Sequence, residues 1–155
     1  KFLGEEICRL YRKSYEVDVQ IARFYNVYGP HEPLDEKFGN VIGIWRVKAI
    51  KGDPLPIVGD GEQRRDFTHV QDITDGLLKI SDSEIKNSDA WELGSGVNYS
   101  INELFQIFNN KFNVKSINID DQPGNYRKTL RINDEMLNKL NWSPKDRLKD
   151  YINNL

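Results

Sequence analysis

The sequence predicts one α/β domain. Short apolar runs rich in β-branched residues alternate along the chain with segments whose apolar residues recur at helical spacing, and this alternation is typical of layered α/β folds. Hydrophobic residues make up 38% of the 155 residues, which is enough to form a single core. The sequence contains no internal repeat and no linker-like segment, so we expect residues 1–155 to fold as a single unit.

The first predicted element is an amphipathic helix over residues 1–15. Leu3, Ile7 and Leu10 recur at helical spacing, with charged residues on the opposite face. Cys8 lies on the apolar side, where we expect a buried, inert thiol that fits a reducing cytoplasm. No capping residue precedes this helix, so we expect the printed sequence to begin inside it.

The other predicted elements follow from alternation, capping residues and turns. Residues 17–24 alternate and are rich in β-branched side chains, which favours a strand with neighbours on both sides. Residues 25–39 are rich in Gly, Pro and acidic residues, and loops of that length are usually functional. The remaining elements are a helix over 40–51, strands at 55–58 and 66–70 with a turn through Gly59-Asp60-Gly61 between them, a helix capped by Asp72, a strand at 90–93, a helix that begins with the capping box Ser100–Glu103, and a final helix with Ser143 as N-cap and Pro144 as N1.

Charge and composition exclude several classes of function. The 22 basic and 24 acidic residues nearly balance, so no general attraction to nucleic acid or to an anionic membrane is expected. The single cysteine cannot form an intramolecular disulfide and makes no zinc-ligand pattern with His31 and His69, so no metal site is expected. No apolar run of about 18 residues and no signal-peptide pattern occurs, which favours a cytoplasmic protein.

Five phrases of the sequence follow one another in a recognisable order. They are KFLGE at Lys1–Glu5, ARFYNVYGP at Ala22–Pro30, GDGEQRRDFTHVQDITDGLL at Gly59–Leu78, ELGSGVNYSINEL at Glu92–Leu104 and RINDEMLNKLNWSPKDRL at Arg131–Leu148. Together they resemble the C-terminal part of the extended short-chain dehydrogenase/reductase family, and specifically its nucleotide-sugar epimerases and dehydratases. The resemblance implies the C-terminal remainder of a Rossmann-type fold with a small α/β substrate-binding region. The Gly-rich phrase that would bind the cofactor's pyrophosphate is absent from the chain.

The resemblance implies an NAD(P)-dependent enzyme that transfers a hydride through a transient keto-sugar. In that family a helix carries Tyr-x-x-x-Lys, so Lys1 would be the catalytic and cofactor-binding lysine, with the tyrosine four residues before it. A lysine one helical turn away lowers the pKa of a phenol, although Lys1 also fits a solvated terminal lysine. Phe24 and Tyr25 would lie beside the nicotinamide. The 155-residue chain alone is expected to bind no NAD or NADP and to be inactive.

The resemblance also implies contacts to a nucleotide-sugar substrate. Asn26 would hydrogen-bond the diphosphate or the sugar, because an amide can both donate and accept, or it would simply form a turn. Asn40 and Val41 would begin a helix whose free N–H groups and dipole favour a phosphate. Asn40 also fits an ordinary N-cap, and both roles can hold together.

Two further segments are assigned to the base and to the phosphates. Pro56, Ile57 and Val58 would cover the base, or they would form an ordinary core strand. Arg65 would bind two phosphate oxygens at once, which a lysine cannot do. The alternative for Arg65 is a surface arginine that pairs with a neighbouring carboxylate.

Residues 121–125 depart from the family pattern. Relatives carry an Arg-Pro-Gly-Asp-like phrase whose arginine grips the diphosphate, whereas this chain reads Asp-Gln-Pro-Gly-Asn. Gln122 brings no charge, which removes a charge-assisted contact of about 1.5–3 kcal/mol. Arg127 lies close along the chain, and we expect it to replace that contact.

These observations favour the substrate-binding part of an NAD(P)-dependent nucleotide-sugar epimerase. A nucleotide-sugar dehydratase and a non-catalytic nucleotide-sugar-binding module are the alternatives. A domain without any ligand is disfavoured by the ordered match of five phrases. Relatives often dimerise through a four-helix contact that includes the first helix, and its apolar stripe lacks cover in this chain, so we expect a homo-oligomer.

Overall fold

The computed structural model describes residues 1–35, 38–121 and 123–155, and it confirms the α/β class. The helices are α1 (Phe2–Tyr15), α2 (Val41–Lys51), α3 (Val70–Asp82), α4 (Ile101–Phe112), α5 (Glu135–Leu140) and α6 (Leu148–Asn153). The strands are β1 (Ala22–Phe24), β2 (Asn26–Tyr28), β3 (Leu55–Val58), β4 (Arg64–His69), β5 (Trp91–Leu93), β6 (Asn98–Ser100) and β7 (Ser116–Ile119). Within the described ranges, no helix is long and apolar enough to cross a membrane, and no group of three or more His, Cys, Asp or Glu could hold a metal ion.

In the described part of the chain the strands form three small sheets, and most of their pairing is parallel. β1 pairs with β5 and β3 with β7, both in parallel, while β4 lies between parallel β2 and antiparallel β6. β3 and β4 adjoin in sequence but do not pair with each other. The turn between them passes through Gly59 and Gly61, both at positive φ, and carries the chain from one sheet to another. Each of these strands therefore finds its partner far away along the chain.

Two clusters of buried side chains hold the helices on the sheets. The larger is centred on Trp45, Leu104 and Phe108, each at most 1% exposed, and packs α2, α4 and α6 together. The smaller surrounds Trp91 and Trp142 and packs α3 and α5 against β5. The candidate site lies at the edge of the larger cluster.

The first strand is shorter than predicted. β1 covers Ala22–Phe24 instead of residues 17–24, and among the described residues it pairs only with β5. Arg12 donates to the carbonyl oxygen of Val19 from Nε (3.0 Å) and from Nη2 (2.6 Å). A guanidinium therefore takes the place of a ladder partner at Val19, and the hydrogen bonds to β5 begin only at Ile21, whose carbonyl oxygen accepts from the N–H of Trp91 at 2.8 Å.

Two predicted helix N-termini, each with a capping side chain close by in the sequence, are confirmed. Ser100 Oγ accepts from the N–H of Glu103 (3.0 Å), and the Glu103 carboxylate accepts from the N–H of Ser100 (2.8 Å), which completes the predicted capping box. Asn40 caps α2, because its Oδ1 accepts from the N–H of Gly43 at 2.8 Å. Both caps form between residues three apart, so the sequence pattern alone identifies them.

Two other predicted caps are wrong. α3 begins one residue after His69, whose Nδ1 accepts a backbone N–H of the first turn (3.2 Å), so Asp72 is not the cap. α6 begins at Leu148 rather than after Ser143. The N–H of Lys145 donates to the Asp72 carboxylate at 3.3 Å, which holds this segment against α3 instead of letting it start a helix.

α1 lies on the surface, and none of its residues is buried. The predicted burial of Cys8 is therefore wrong, since its side chain is half-buried. The apolar stripe of the helix is more than half exposed at Leu3, Ile7 and Leu10. Charged side chains attach the helix instead: Glu5 accepts from Arg23 of β1 at 2.6 and 2.9 Å, and Arg12 donates to backbone carbonyl oxygens outside the helix.

Candidate functional site

A cavity of about 260 Å³ lies where β2, β3 and β4 meet the start of α2. Its lining residues are Asn26, Val27, Asn40, Val41, Val58, Gln63, Arg65, Phe67, Ile101 and Asn125. Five of the eight predicted substrate contacts thus surround one cavity, although they come from four separate segments. They are Asn26, Asn40, Val41, Val58 and Arg65.

Alternate side chains of β4 point into the cavity and to the opposite face of the sheet. Arg65 and Phe67 are two residues apart and both line the cavity, because alternate side chains of a strand point to the same face. Arg64 points the other way, where Asn98 and Glu103 bind its guanidinium. The strand therefore brings one arginine to the cavity and keeps its neighbour out of it.

Arg65 has no carboxylate partner among the described residues. Its Nη1 donates to the carbonyl oxygen of Arg64 at 2.9 Å, and its Nη2 donates to Oδ1 of Asn125. Both partners are neutral, and burial lowers the pKa of Arg65 from its usual value. A partly desolvated guanidinium with only neutral partners favours an anionic ligand.

Asn40 uses both of its polar side-chain atoms within the protein. Its Nδ2 donates to the carbonyl oxygen of Val27 at 3.0 Å, while its Oδ1 serves as the cap of α2. The first N–H groups of a helix have no acceptor inside the helix. The start of α2, which lines the cavity through Asn40 and Val41, therefore offers backbone donors and the positive end of the helix dipole.

Asp66 ties the walls of the site together. Its carboxylate is fully buried. Oδ1 accepts from the N–H (2.8 Å) and Oγ (2.7 Å) of Ser95 and from Oγ1 of Thr68 (3.2 Å). Oδ2 accepts from the N–H groups of Gly96 (3.1 Å) and Arg131 (3.0 Å). One carboxylate thus joins β4, the turn after β5 and the segment that follows Asn125.

Three of the predicted substrate contacts lie outside the cavity lining. Ile57 is buried in the larger core cluster, and Pro56 accepts a hydrogen bond from Trp45 Nε1 at 3.2 Å, so only Val58 of this strand reaches the cavity. Arg127 forms a two-point ion pair with Asp60, with both N–O distances at 2.8 Å. This pair lowers the pKa of the Asp60 carboxyl to about 2.

The residues assigned to catalysis and cofactor are also outside the lining. Lys1 precedes α1, is exposed and makes no ion pair with a described residue. Phe24 is 51% exposed at the end of β1. The hydroxyl of Tyr25 donates to Oε2 of Glu92 at 3.0 Å, and burial raises the pKa of that hydroxyl. The departure at Gln122 lies outside the described residues.

Sequence reasoning missed five residues of the lining, which are Val27, Gln63, Phe67, Ile101 and Asn125. Phe67 could have been predicted to line the cavity from strand alternation, since it lies two residues after Arg65. Asn125 belongs to the phrase that departs from the family pattern, but its contact with Arg65 spans 60 residues. Gln63 and Ile101 carry no signal in the sequence that points to a ligand site.

The chain matches a known family and several known proteins. The model of the NAD dependent epimerase/dehydratase family matches residues 1–94. A Methanocaldococcus jannaschii protein named "Putative UDP-glucose 4-epimerase" is 34% identical over 98% of this chain and 49% of its own length. GDP-mannose 3,5-epimerase of Arabidopsis thaliana is 30% identical over 98% of this chain and 40% of its own length.

Solved structures show the same fold. Epimerase Mth375 of Methanothermobacter thermautotrophicus superposes with a TM-score of 0.90 at 29% identity, over 97% of this chain and 46% of that one. UDP-glucose 4-epimerase of Thermotoga maritima, in complex with UDP-glucose, has a TM-score of 0.90 at 24% identity, over 99% of this chain and 49% of that one. The chain thus spans about half the length of these relatives. By its sequence match and its Rossmann-type fold, it belongs to the NAD dependent epimerase/dehydratase family.

Proposed function

We propose that this chain is the substrate-binding part of a nucleotide-sugar epimerase. The observation that carries the proposal is the cavity in which Arg65, without a carboxylate partner among the described residues, faces the start of α2. A guanidinium and a helix N-terminus both favour an anion. The relatives include a UDP-glucose 4-epimerase and a GDP-mannose 3,5-epimerase, which supports a nucleoside diphosphate as that anion.

In the proposed complex different walls of the cavity bind different parts of the ligand. The diphosphate lies between Arg65 and the first N–H groups of α2, where the fork of the guanidinium can bind two oxygens at once. The base packs on the apolar wall formed by Val58 and Phe67, of which Phe67 also belongs to the larger core cluster. Arg127 supplies a second cation when it exchanges Asp60 for a phosphate oxygen.

The cofactor would supply the redox chemistry of the whole enzyme by taking a hydride from the sugar and returning it. The residues of this chain do not form the usual binding site for the pyrophosphate of that cofactor, because the sequence carries no Gly-rich strand–turn–helix phrase. Lys1 is exposed and free of ion pairs with the described residues, so its ammonium is available to lower the pKa of a phenol one helical turn before it. We propose that the chain alone neither holds NAD(P) nor turns over substrate.

Calorimetric titration of the 155-residue chain with UDP, GDP and dTDP tests the proposal. We expect one of these probes to bind, and Arg65→Gln to weaken it about ten- to hundredfold, since hydrogen bonds to charged groups contribute about 1.5–3 kcal/mol. Arg127→Ala should weaken the same probe. Arg64→Gln is the matched control, because its guanidinium is bound on the opposite face. Absence of binding, or equal losses in Arg65→Gln and Arg64→Gln, would contradict the proposal.

A non-catalytic nucleotide-sugar-binding module is the second candidate. The cavity is formed by described residues of this chain alone, whereas the sequence contains no Gly-rich cofactor phrase. NAD(P)-dependent conversion of UDP-glucose, GDP-mannose or dTDP-glucose separates the candidates when it is measured on the polypeptide as the cell makes it. Epimerised product supports the leading proposal, dehydrated product supports a dehydratase, and binding without conversion supports the module.

A further inference from the structure

Gln63 is a buried polar side chain on the wall of the cavity. It lies between the turn that follows β3 and the start of β4, and only 6% of it is exposed. Its carbonyl oxygen accepts from the N–H of Ile101 at 3.2 Å, which holds its backbone beside the start of α4. Buried polar side-chain atoms usually have hydrogen-bond partners. An unpaired atom on this side chain is therefore a candidate contact for a ligand.

The backbone of β3 fixes the orientation of the Gln63 amide. Nε2 of Gln63 donates to the carbonyl oxygen of Val58 at 3.0 Å. A backbone carbonyl can only accept a hydrogen bond, so the nitrogen of the amide, and not its oxygen, faces Val58. The same carbonyl also accepts from the N–H of Gly61 at 3.2 Å. The Val58 carbonyl thus keeps a donor even without the Gln63 amide.

The oxygen of the Gln63 amide is open to the cavity. Oε1 accepts no hydrogen bond from any described residue. In the described part of the chain, the enclosed side-chain atoms without a partner are Glu32 Oε2, Arg46 Nε and Asn98 Nδ2. Oε1 of Gln63 is not one of these enclosed atoms, so it reaches open space, and the open space beside Gln63 is the cavity. An amide oxygen only accepts, so the ligand group that faces it must carry a hydrogen.

The surroundings of Gln63 indicate which part of the ligand supplies that hydrogen. Gln63 is hydrogen-bonded to the backbone of Val58 and of Ile101, and both of these apolar residues line the cavity with it. An apolar wall suits the flat face of a nucleotide base better than a sugar with several hydroxyls or a charged phosphate. The edge of a base carries N–H groups, and these can donate to Oε1.

We propose that Gln63 is a specificity-determining residue that accepts a hydrogen bond from the ring N–H of the nucleotide base. This inference rests on the proposed function and adds the class of base to it. Uracil, thymine and guanine each carry a ring N–H beside a carbonyl group. The second hydrogen of Gln63 Nε2 has no acceptor among the described residues and can donate to that carbonyl. Bases without a ring N–H leave Oε1 unpaired and bind less tightly.

Nucleotides methylated at the ring nitrogen test this contact in the wild-type chain. Calorimetry on the 155-residue chain compares the diphosphate that binds best among UDP, GDP and dTDP with the same nucleotide methylated at N3 of uracil or thymine, or at N1 of guanine. The methyl group removes the hydrogen that Oε1 would accept. We expect methylation to weaken binding about tenfold or more. Equal affinity for the two nucleotides would overturn the inference.

Gln63→Met shows whether Gln63 causes that difference. Methionine keeps the length of the side chain but provides no amide oxygen, and the Val58 carbonyl still accepts from Gly61. We expect Gln63→Met to weaken the unmethylated nucleotide about tenfold and the methylated one by less than about twofold, because methylation has already removed the bond. Gln106→Met makes the same change at an exposed position of α4 and should alter neither affinity.

Ribose 5-diphosphate, which has no base, separates a lost base contact from a disturbed cavity. Gln63→Met should bind this probe within about twofold of the wild type. Equal losses for the unmethylated and methylated nucleotides, or no loss for either, would overturn the inference and leave the proposed function standing. If the wild-type chain binds none of UDP, GDP and dTDP, the proposed function is contradicted and this inference fails with it.

Discussion

Replacing Asp66 with asparagine tests the carboxylate that joins the walls of the site. The side chain keeps its shape, but one oxygen becomes an NH2 group and the charge is lost. In the structure five donors converge on the two oxygens, three on Oδ1 and two on Oδ2. An NH2 group at the position of Oδ2 would face two N–H donors, whereas one at the position of Oδ1 would face the N–H of Ser95 and two hydroxyls that can turn to accept from it.

The expected loss of stability follows from those donors. If NH2 replaces Oδ2, the N–H groups of Gly96 and Arg131 lose their acceptor inside the fold. An unsatisfied buried donor costs about 1–3 kcal/mol, and the bonds that remain are no longer charge-assisted. We therefore expect Asp66→Asn to lower the free energy of unfolding by about 1–3 kcal/mol. Domains typically have about 5–15 kcal/mol in total, so this loss is large.

Urea unfolding followed by tryptophan fluorescence measures this loss, because Trp45, Trp91 and Trp142 are all buried. Asp60→Asn is the control. It makes the same chemical change in an aspartate whose side chain is 57% exposed, and we expect little effect because exposed ion pairs contribute little. A loss of less than about 1 kcal/mol in Asp66→Asn, or equal effects in the two variants, would refute the assigned role of Asp66.

Two further predictions concern α1. Glu5→Gln should speed amide hydrogen exchange in α1 and leave the rest of the chain unchanged, because Glu5 attaches this helix to β1. Arg23 and Arg9 lower the pKa of Glu5 from 4.5 to about 2, so the attachment is strongest above about pH 4.5 and should weaken as the pH falls toward 2; exchange in α1 that is independent of both changes would contradict this. We also expect the chain to self-associate through the exposed stripe of α1, and Ile7→Glu to make it monomeric in light scattering at an unchanged melting temperature. A monomeric wild-type chain at high concentration would contradict that prediction.

The sequence predicted the elements whose signals are local. The cap of α2 at Asn40 and the capping box of α4 form between residues three apart, so a short window of sequence contains all of the chemistry. Sheet partners were not predictable in this way. β3 pairs with β7 about 60 residues later, and the choice depends on how the helices pack in between.

The prediction that Cys8 of α1 is buried was wrong for a different reason. Periodicity shows which face of a helix is apolar, but it does not show what covers that face. In the described residues the stripe at Leu3, Ile7 and Leu10 has no cover, and Cys8 is half-buried rather than enclosed. The attachment through Glu5 and Arg23 was not predicted, because these two residues are 18 positions apart and carry no motif.

The two asparagines of the cavity show how far a residue type can predict chemistry. The sequence indicated that Asn26 and Asn40 contact the ligand, and both line the cavity. Asn40 has both polar atoms bonded to backbone groups, so its contribution to an anion comes from the helix that it caps. Asn26 has only its nitrogen bonded, by Asp66 and Thr129, and Thr129 lies 103 residues away in sequence. Identical side chains thus offer donors at one wall and an acceptor at the other, because distant partners decide which atoms remain free.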